Sequence, residues 1–322
     1  MNESPLFWPA KLKGSTLFVL DETLLPSRMR YIKVRSVKDA VRVIREMKTR
    51  AFGQFLVVLN TFLLVLAQDK NSSKEALLSR LQKTAEALNK SRPTFPFSEV
   101  TGIVLGWAEK AAGEKIPLKP FLTKNILGFL AGIRAKRLER VRQIAKTIKN
   151  GETVLTHCNV SGELAMAASI CKEQGKKIRF FATETRPYFQ GAKLTCWELK
   201  RAGADVTLVA DNAVGSLMSQ DLIDLVIVGS DRSCANGDFA NKIGTYQIAV
   251  LAKEFGVPMY ALTQPSNKVK RGEEIPIEIR DPEELLKFEG KRIMPEGVKG
   301  FYPGFDVVPH RLIKKPITIN VN

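Results

Sequence analysis

The chain has 322 residues, of which 44% are hydrophobic, and its formal net charge is +17 at pH 7. This length and composition are typical of a globular protein with one large domain or two ordinary ones. No apolar run reaches the 18 residues that a membrane span needs, and the start of the chain lacks the basic-then-apolar pattern of a secretion signal. We therefore expect a soluble, cytoplasmic protein without a membrane partner.

The first half of the chain is predicted to be mainly helical. Residues 15–35 read as two short strands with Pro26 in the turn. A helix follows from Val37, and Ser36 with Asp39 forms a plausible capping pair for it. Further helices are predicted at Phe52–Ala67, at Lys74–Asn89 and, after the Pro-broken loop "SRPTFPF", from near Ile126 to Asn150. Residues 1–150 are therefore expected to form a helical N-terminal domain with a short β-hairpin.

After Gly151 the pattern changes to short apolar runs that alternate with helical segments. The runs are "ETVLTHC", "KIRFFATE", "DVTLVAD", "DLVIVGSD" and "VPMYALT", and the helices are expected at Glu163–Glu173, Lys193–Ala202, Val214–Gln220 and Lys242–Phe255. Near-continuous apolar strands between helices indicate a parallel sheet covered on both faces. The sequence thus predicts an α/β fold whose residues 151–322 form a Rossmann-like, doubly wound domain, with the Pro-rich segment 275–322 wrapping its surface.

The cysteine, histidine and basic residues limit the possible partners. The four cysteines lack CxxC spacing and there are only two histidines, so neither a zinc site nor a disulfide framework is expected. We interpret Cys171, Cys196 and Cys234 as structural. A net positive charge first suggests nucleic acid, but the basic residues are scattered apart from the run 134–149. We favour a solvated helix face for that run, with RNA binding as the alternative.

Polar and titratable side chains follow four successive predicted strands. In doubly wound sheets, ligands bind beyond the carboxyl ends of the strands. The segment "CNVSGEL" is not a GxGxxG fingerprint and no P-loop is present, so neither a nicotinamide cofactor nor ATP hydrolysis is favoured. The composition suits proton transfer on an anionic substrate without a metal or cofactor. The residues at these strand ends are His157, Cys158, Asn159, Thr183, Glu184, Thr185, Arg186, Asp211, Asn212, Asp231 and Arg232.

The main candidates have two interpretations each. Cys158 is either a small buried hydrophobic residue or a thiolate at a helix N-terminus. Asp231 is either a helix cap or ion-pair partner, or a general acid whose pKa is raised by burial. Asn241 and Lys242 are expected to open a helix, either as ordinary capping residues or as a phosphate clamp.

Three further residues are open to the same two kinds of interpretation. Arg92 and Arg186 are either surface charges or phosphate ligands. For His157 we favour a structural role.

Several collinear motifs carry a resemblance to a known family. "THCN" at 156–159, "ETRPYFQGAKLTCWEL" at 184–199, "DNAVGSLM" at 211–218 and "ANGDFANKIGTY" at 235–246 together resemble methylthioribose-1-phosphate isomerases. These enzymes belong to a wider family with ribose-1,5-bisphosphate isomerases and the regulatory subunits of eukaryotic translation initiation factor 2B. Further similar segments are "LDETLLPSRMRYI" at 20–32, "SRPT" at 91–94, "IPIEIRDPEEL" at 275–285 and "GFDVVP" at 304–309.

The resemblance implies a homodimer without metal or redox cofactor that acts on a phosphorylated sugar, as in methionine salvage. It implies a catalytic cysteine at Cys158 and a catalytic aspartate at Asp231. The substrate-binding residues that it implies are Gln190, Asn241, Lys242, Arg92, Arg50 and Ala51.

Two segments depart from the pattern of the family. The substrate loop "RGAPAIG" is replaced by "TRAFGQF" at 49–55, in which only Arg50 and Ala51 align, and "CNVSG" is one residue longer than "CNTG". The expected activity is conversion of a 5-substituted ribose 1-phosphate, with 5-methylthioribose 1-phosphate favoured, to the ribulose 1-phosphate. The alternatives are a ribose-1,5-bisphosphate isomerase and a non-catalytic regulatory or sensor subunit.

Overall fold

The computed structural model describes residues 3–93, 95–265 and 268–318. The chain divides into two compact units. The N-terminal unit is Pro5–Ala135, and the described residues outside it form the C-terminal unit. The change in sequence pattern that defines the predicted domains comes somewhat later, after Gly151.

The N-terminal unit contains a three-stranded antiparallel sheet with the order β1-β2-β3. Its strands are β1 (Ala10–Lys13), β2 (Thr16–Leu20) and β3 (Tyr31–Val34). The second and third strands were predicted, with Pro26 between them. The first was missed because four residues, "AKLK", give too short an alternation to recognise.

Between β3 and Gly151 the described residues form five helices, and the last of them extends beyond Ala135. The predicted capping pair before the first helix is confirmed, because Ser36 Oγ accepts a hydrogen bond from Asp39 N at 3.1 Å and donates to Asp39 Oδ2 at 2.9 Å. The second helix is buried along most of its length. The helices are α1 (Val37–Arg45), α2 (Ala51–Ala67), α3 (Lys74–Asn89), α4 (Phe97–Gly113) and α5 (Leu118–Thr147).

The prediction between α3 and α5 was wrong in two respects. It contained no α4, and it began the long helix near Ile126 rather than at Leu118. Three glycines weaken the helical propensity of α4, but its buried residues recur at helical spacing and packing outweighs propensity. Pro120 lies in the first turn of α5, where a missing N–H removes no helical hydrogen bond.

The C-terminal unit is built on a six-stranded parallel sheet with the order β14-β10-β7-β4-β5-β6. Strands β4, β5 and β6 form one half of the sheet, and β7, β10 and β14 form the other half. The strand order therefore reverses between β4 and β7, as in Rossmann-like folds. The strands are β4 (Thr153–Thr156), β5 (Arg179–Thr183), β6 (Asp205–Val209), β7 (Leu225–Val228), β10 (Met259–Thr263) and β14 (Lys315–Thr318).

Helices alternate with these strands as predicted. Leu155, Val226 and Val228 of the central strands are fully buried and pack with Ile248 and Ala249 in one hydrophobic core. The helices are α6 (Glu163–Glu173), α7 (Cys196–Arg201, preceded by a π-helical turn at Gly191–Thr195), α8 (Val214–Ser219), α9 (Thr245–Glu254) and α10 (Glu283–Leu286).

Two small antiparallel sheets correct the prediction for the rest of the chain. The helix predicted to begin at Lys242 begins at Thr245, because residues up to Lys242 form a strand. The segment 275–322 does not simply wrap the surface, since it supplies β13 and β14 to sheets. The small sheets are β13-β9-β8, from β8 (Arg232–Ser233), β9 (Phe239–Lys242) and β13 (Phe305–Val308), and β11-β12, from β11 (Lys287–Phe288) and β12 (Lys291–Arg292).

Along the described ranges, no helix has both the length and the apolar character needed to cross a membrane.

Candidate functional site

The candidate site lies where the strand order reverses in the C-terminal unit. Cys158 is the second residue after β4, and Asp231 is the third after the neighbouring β7. A Cβ added to Gly229 would lie 3.2 Å from Val160 Cγ1 and 3.8 Å from Asn241 Oδ1. The backbone after β7 therefore passes directly against the loop after β4 and against β9, as expected at a topological switch point.

The loop that carries Cys158 has an unusual backbone. Cys158, Ser161 and Gly162 have φ angles of 63°, 50° and 83°. Left-handed conformations of non-glycine residues cost about 1 kcal/mol or more and persist where the surroundings impose them. Here Cys158 N donates to Thr185 Oγ1 at 3.0 Å, and Cys158 O accepts from Thr195 Oγ1. The half-buried thiol is thus presented by a loop of fixed shape.

The other cysteines differ from Cys158 in their surroundings. Cys171 and Cys234 are buried, and Cys196 is half-buried. Burial raises the pKa of all three thiols, that of Cys234 to about 11. A raised pKa keeps a thiol protonated and unreactive at neutral pH, which fits their interpretation as structural residues.

A buried ion-pair network contacts the loop that carries Cys158. Glu163 accepts hydrogen bonds from Arg137 Nε and from Arg140 Nε and Nη2. Arg137 Nη2 also donates to Ser161 O at 2.8 Å. Burial disfavours the charged carboxylate, but the two guanidiniums outweigh it and lower the pKa of Glu163. The run 134–149 is therefore not a fully solvated face, because Arg137 and Arg140 are only 3% and 7% exposed.

The side chain of Asn159 closes the same loop. Its Oδ1 accepts from Ser161 N at 2.9 Å, and its Nδ2 donates to Glu198 Oε1 at 2.7 Å. Ser4 Oγ donates to the other carboxylate oxygen of Glu198 at 2.8 Å. Both ends of the amide are thus occupied by the protein, and Asn159 shapes the loop.

Asp231 and Asp306 lie on the two sides of strand β9. Asp231 N donates to Ala240 O at 2.9 Å, and β8 continues directly from Asp231. On the other side, Asp306 of β13 is paired with Asn241. Both carboxyl-bearing residues therefore flank the stretch that carries Asn241 and Lys242.

Lys242 is held among aromatic rings. Its side chain is only 5% exposed, and Nζ lies 4.7 Å from the ring centroid of Phe305 and 5.8 Å from those of Tyr188 and Tyr302. Nζ is also 3.5 Å from the Tyr302 hydroxyl. Aromatic faces stabilise a cation without neutralising it. A buried ammonium in such surroundings attracts anions strongly because little solvent screens it.

Side chains hold the turn after Lys242. Gly244 N donates to Asp306 Oδ2 at 2.7 Å, and Asn241 Nδ2 donates to Thr245 Oγ1 at 3.0 Å. A carboxylate thus already caps the N-terminus of α9 at Gly244. The expectation that Asn241 and Lys242 open this helix was wrong, since both residues lie in β9.

Asp306 was not identified from the sequence as a site residue. Burial raises its pKa to about 6. Its Oδ1 atom is buried without a hydrogen-bond partner among the described residues. Burial therefore disfavours the ionised form of this carboxyl group.

His157 is fixed at both ring nitrogens. Nε2 lies 2.9 Å from Ile243 O, and Nδ1 lies 2.6 Å from Thr183 Oγ1. Because a carbonyl only accepts, Nε2 carries the proton and Nδ1 accepts from the threonine hydroxyl. Burial lowers the pKa of His157, which favours the neutral ring. Its two hydrogen bonds connect the end of β4 to β5 and to the turn before α9. This placement fits the structural role that we favoured.

The loop after β5 carries Gln190 and Arg186. Asp211 anchors it by accepting from Thr185 N at 2.7 Å and Arg186 N at 2.8 Å. The Arg186 guanidinium lies 5.2 Å from the Phe189 ring centroid. Gln190 is 5% exposed, and in the described part of the chain its Oε1 has no hydrogen-bond partner. Gln190 is therefore the polar group of this loop that the protein leaves incompletely bonded.

The remaining predicted residues belong to the N-terminal unit. Arg50 and Ala51 are the N-cap and first residue of α2. Arg92 Nη1 donates to Gln54 Oε1 at 3.1 Å, and its guanidinium lies 4.9 Å from the Phe95 ring centroid. The structure thus groups the eight predicted residues by unit: Cys158, Gln190, Asp231, Asn241 and Lys242 in one, and Arg50, Ala51 and Arg92 in the other. Thr94 of the "SRPT" motif lies outside the described residues.

Sequence reasoning missed the groups that surround Lys242. Arg280 Nη2 donates to the Tyr188 hydroxyl and to Glu284 Oε1, and burial raises the pKa of Tyr188 to about 12. Burial also raises the pKa of Tyr302. The motifs "GFDVVP" and "IPIEIRDPEEL" were the available signal, because they contain Asp306, Arg280 and Glu284.

The chain is similar to known proteins over nearly its whole length. A methylthioribose-1-phosphate isomerase of Desulforudis audaxviator is 40% identical, over 99% of this chain and 93% of its own. A 5-deoxyribose 1-phosphate isomerase of Moorella thermoacetica is 37% identical, over 98% and 92%.

Solved structures agree with these sequence relatives. The crystal structure of 5-methylthioribose 1-phosphate isomerase from Pyrococcus horikoshii matches with a TM-score of 0.87 at 31% identity, covering 99% of this chain and 93% of that one. Subunit delta of translation initiation factor eIF-2B from A. fulgidus matches with a TM-score of 0.80 at 30% identity, covering 97% and 94%. The model of the initiation factor 2 subunit family matches residues 54–319. This chain belongs to the initiation factor 2 subunit family.

Proposed function

We propose that this chain is an aldose–ketose isomerase that converts a 5-substituted ribose 1-phosphate to the corresponding ribulose 1-phosphate. The observation that carries the proposal is the meeting of the Cys158 loop and the backbone leading to Asp231 at the β4–β7 switch point. The nearby caged Lys242 suits an anionic substrate. The names of the sequence relatives point to the same chemistry.

Asp231 and Cys158 divide the chemistry between them in this proposal. The phosphate ester locks C1 of the sugar in a ring, so the ring must open before hydrogen can move between C2 and C1. Asp231, in its protonated form, delivers a proton to the ring oxygen as the C1–O bond breaks. Cys158, as thiolate, takes the proton from C2 and returns it at C1 through an enediolate-like state, and the Asp231 carboxylate regains its proton from the C2 hydroxyl as the ketone forms. A positioned acid or base contributes about 10²–10⁴ to the rate.

A direct hydride shift from C2 to C1 is the alternative route, in which Cys158 only shapes the pocket. The two routes differ in where the hydrogen at C1 of the product comes from. Turnover in D₂O followed by NMR of the product separates them. Deuterium at C1 supports the proton-transfer route, and its complete absence supports the hydride shift.

The predicted binding residues divide between the phosphate and the sugar hydroxyls of the substrate. Lys242 and Asn241 hold the phosphate from the C-terminal unit, and Gln190 supplies an unused amide oxygen to a sugar hydroxyl. Arg50, Ala51 and Arg92 are the further substrate-binding residues that the resemblance implies. Arginine suits phosphate because its planar donors match the anion in pairs. The N-terminus of α9 is not assigned to the phosphate, because Asp306 caps it.

The substituent at C5 is the finer part of the proposal. We favour 5-methylthioribose 1-phosphate, in keeping with a place in methionine salvage. The altered loop at 49–55 keeps ribose 1,5-bisphosphate as an alternative, and the Moorella thermoacetica relative adds 5-deoxyribose 1-phosphate.

A panel of these three sugar phosphates, with ketose formation as the readout, tests the activity and its specificity together. The largest kcat/KM is expected for the methylthio substrate. A larger value for the bisphosphate would reassign the substrate, and no ketose from any of the three would leave a regulatory subunit as the better description.

We further propose that the protein works as a homodimer in the cytoplasm. Within the C-terminal unit, the segment 279–301 exposes several large apolar side chains, among them Phe301 at 74% and Ile279 at 58%. Exposed apolar groups of this kind support an interface between two copies. Size-exclusion chromatography with light scattering should give twice the mass of 35.9 kDa. A monomer at micromolar concentration would contradict this part of the proposal.

A further inference from the structure

A buried carboxylate in the N-terminal unit has no role in the chemistry above. Glu22 is 4% exposed, and it accepts a hydrogen bond from Thr49 Oγ1. Burial raises its pKa, while the Arg50 guanidinium, the Thr49 hydroxyl and the Arg50 backbone N–H oppose that rise. Glu22 therefore interacts with the backbone N–H of Arg50 by a hydrogen bond and with the Arg50 guanidinium electrostatically.

A chain of hydrogen bonds leads from the same carboxylate toward Arg92. Thr49, fixed by Glu22, accepts a hydrogen bond at its carbonyl from Gln54 Nε2 at 2.9 Å. This bond orients the amide, so that Gln54 Oε1 accepts from Arg92 Nη1 at 3.1 Å. We call the residues Glu22, Thr49 and Gln54 the arginine-holding relay.

The relay is tightly packed. A Cβ added to Gly53 would lie 1.8 Å from Thr49 Oγ1 and 2.9 Å from Thr49 Cβ, and both distances are too short for real contacts. Thr49 and Gln54 are fully buried. Glu22 N also donates to Lys48 O at 2.8 Å, which ties the carboxylate's own backbone to the segment before Thr49. The side chains of the relay therefore have little freedom to move.

Helix capping alone does not explain why position 22 carries a carboxyl group. The N-cap residue of α2, Arg50, makes no side-chain capping bond, so an acceptor from elsewhere is useful at this helix end. A neutral amide would also accept that bond. A fully buried carboxylate is costly unless a cation compensates it, and the Arg50 guanidinium offsets part of that cost, since burial still raises the pKa of Glu22.

We propose that Glu22 is a positioning residue that holds Arg50 through its charge and Arg92 through Thr49 and Gln54. This inference rests on the proposed function, because Arg50 and Arg92 are assigned there to the sugar phosphate. Neither Glu22 nor Gln54 contacts substrate in this scheme. Their effect on turnover passes through the two arginines.

The test is a kinetic cycle on the full chain with the substrate that the panel selects. Glu22→Gln keeps the shape and the capping oxygen but removes the charge, and it should raise KM about tenfold or more. Arg50→Lys should also raise KM. In the Arg50→Lys background, Glu22→Gln should change KM by less than about threefold, because the group through which it acts is already altered. Glu46→Gln, at an exposed acid of the same unit, is the control and should leave KM unchanged.

Each outcome decides one question. Equal KM effects of Glu22→Gln in both backgrounds, or a KM within threefold of the wild-type value, would overturn the inference while leaving the proposed function intact. Absence of turnover by the wild type would overturn the proposed function and the inference with it. If Glu22→Gln does not fold, Gln54→Met against Arg92→Lys is the equivalent cycle on the second branch, with the same thresholds.

Discussion

Replacing Glu163 by glutamine should destabilise the C-terminal unit more than any surface substitution. The Glu163 side chain is 1% exposed and faces the guanidiniums of Arg137 and Arg140, whose side chains are 3% and 8% exposed. Glutamine keeps the shape but turns an amide NH₂ toward two buried cations. Removing one partner of a buried ion pair costs about 3–5 kcal/mol, because the remaining charge stays buried. For a unit of this size that corresponds to a fall in Tm of roughly 6–20 °C.

The assay is urea unfolding followed by circular dichroism, with hydrogen exchange of α6 to locate the change. A chain with two compact units need not unfold in one step, so the local probe is needed. Glu173→Gln on the same helix is the control, since an exposed charge contributes about 1 kcal/mol or less. A loss below about 1 kcal/mol for Glu163→Gln, equal to that of the control, would refute the reasoning about the buried network.

Four further substitutions test other parts of the structure. Asp306→Asn probes a carboxyl group whose pKa is raised to about 6. Between about pH 4 and 6 the folded protein keeps the proton on this group, whereas the unfolded chain has lost it. The free energy of unfolding of the wild type should therefore fall relative to that of the variant as pH rises through this range, by up to about 3 kcal/mol. Parallel unfolding curves across this range would contradict the assignment. Gly191→Ala should cost about 3 kcal/mol or more, because its Cβ would lie 1.8 Å from Thr183 O and backbone cannot easily move aside. Gly106→Ala in α4, with nothing within 4 Å, should instead stabilise by about 0.5–1 kcal/mol, and the same sign for both in thermal melts would argue against the packing shown. Lys242→Met should raise KM for the sugar phosphate about tenfold or more, because the caged cation is lost, and an unchanged KM would remove Lys242 from the phosphate site.

The sequence predicted five of the six described strands of the parallel sheet, because most of them are apolar runs bounded by turn residues, but it did not predict β14. The positions of Cys158 and Asp231 at strand ends could be predicted for the same reason, since each follows a strand that is easy to recognise. The helix α4 was missed because its glycines hide a pattern that only packing reveals. The β13-β9-β8 sheet was missed because "RS" and "FANK" show no alternation of apolar and polar residues, and because β13 lies far from them in the chain.

The surroundings of the predicted residues could not be deduced in this way. The aromatic rings around Lys242 come from segments near residues 188 and 302–305, which only the tertiary fold brings together. Asp306 capping α9 depends on the pairing of β13 with β9, and nothing local in the sequence signals it. The Glu22–Thr49 contact likewise joins two short connecting segments that are separated by β3 and α1.

The most direct test of joint action by the thiol and the carboxyl is a double-mutant cycle on ketose formation. Cys158→Ser and Asp231→Asn should each slow turnover by about 10²–10⁴. The double variant should be no slower than the slower single variant within about threefold, because groups that act as one unit are not additive. Near-normal turnover by either single variant, with the protein folded, would contradict the proposed chemistry at the β4–β7 switch point.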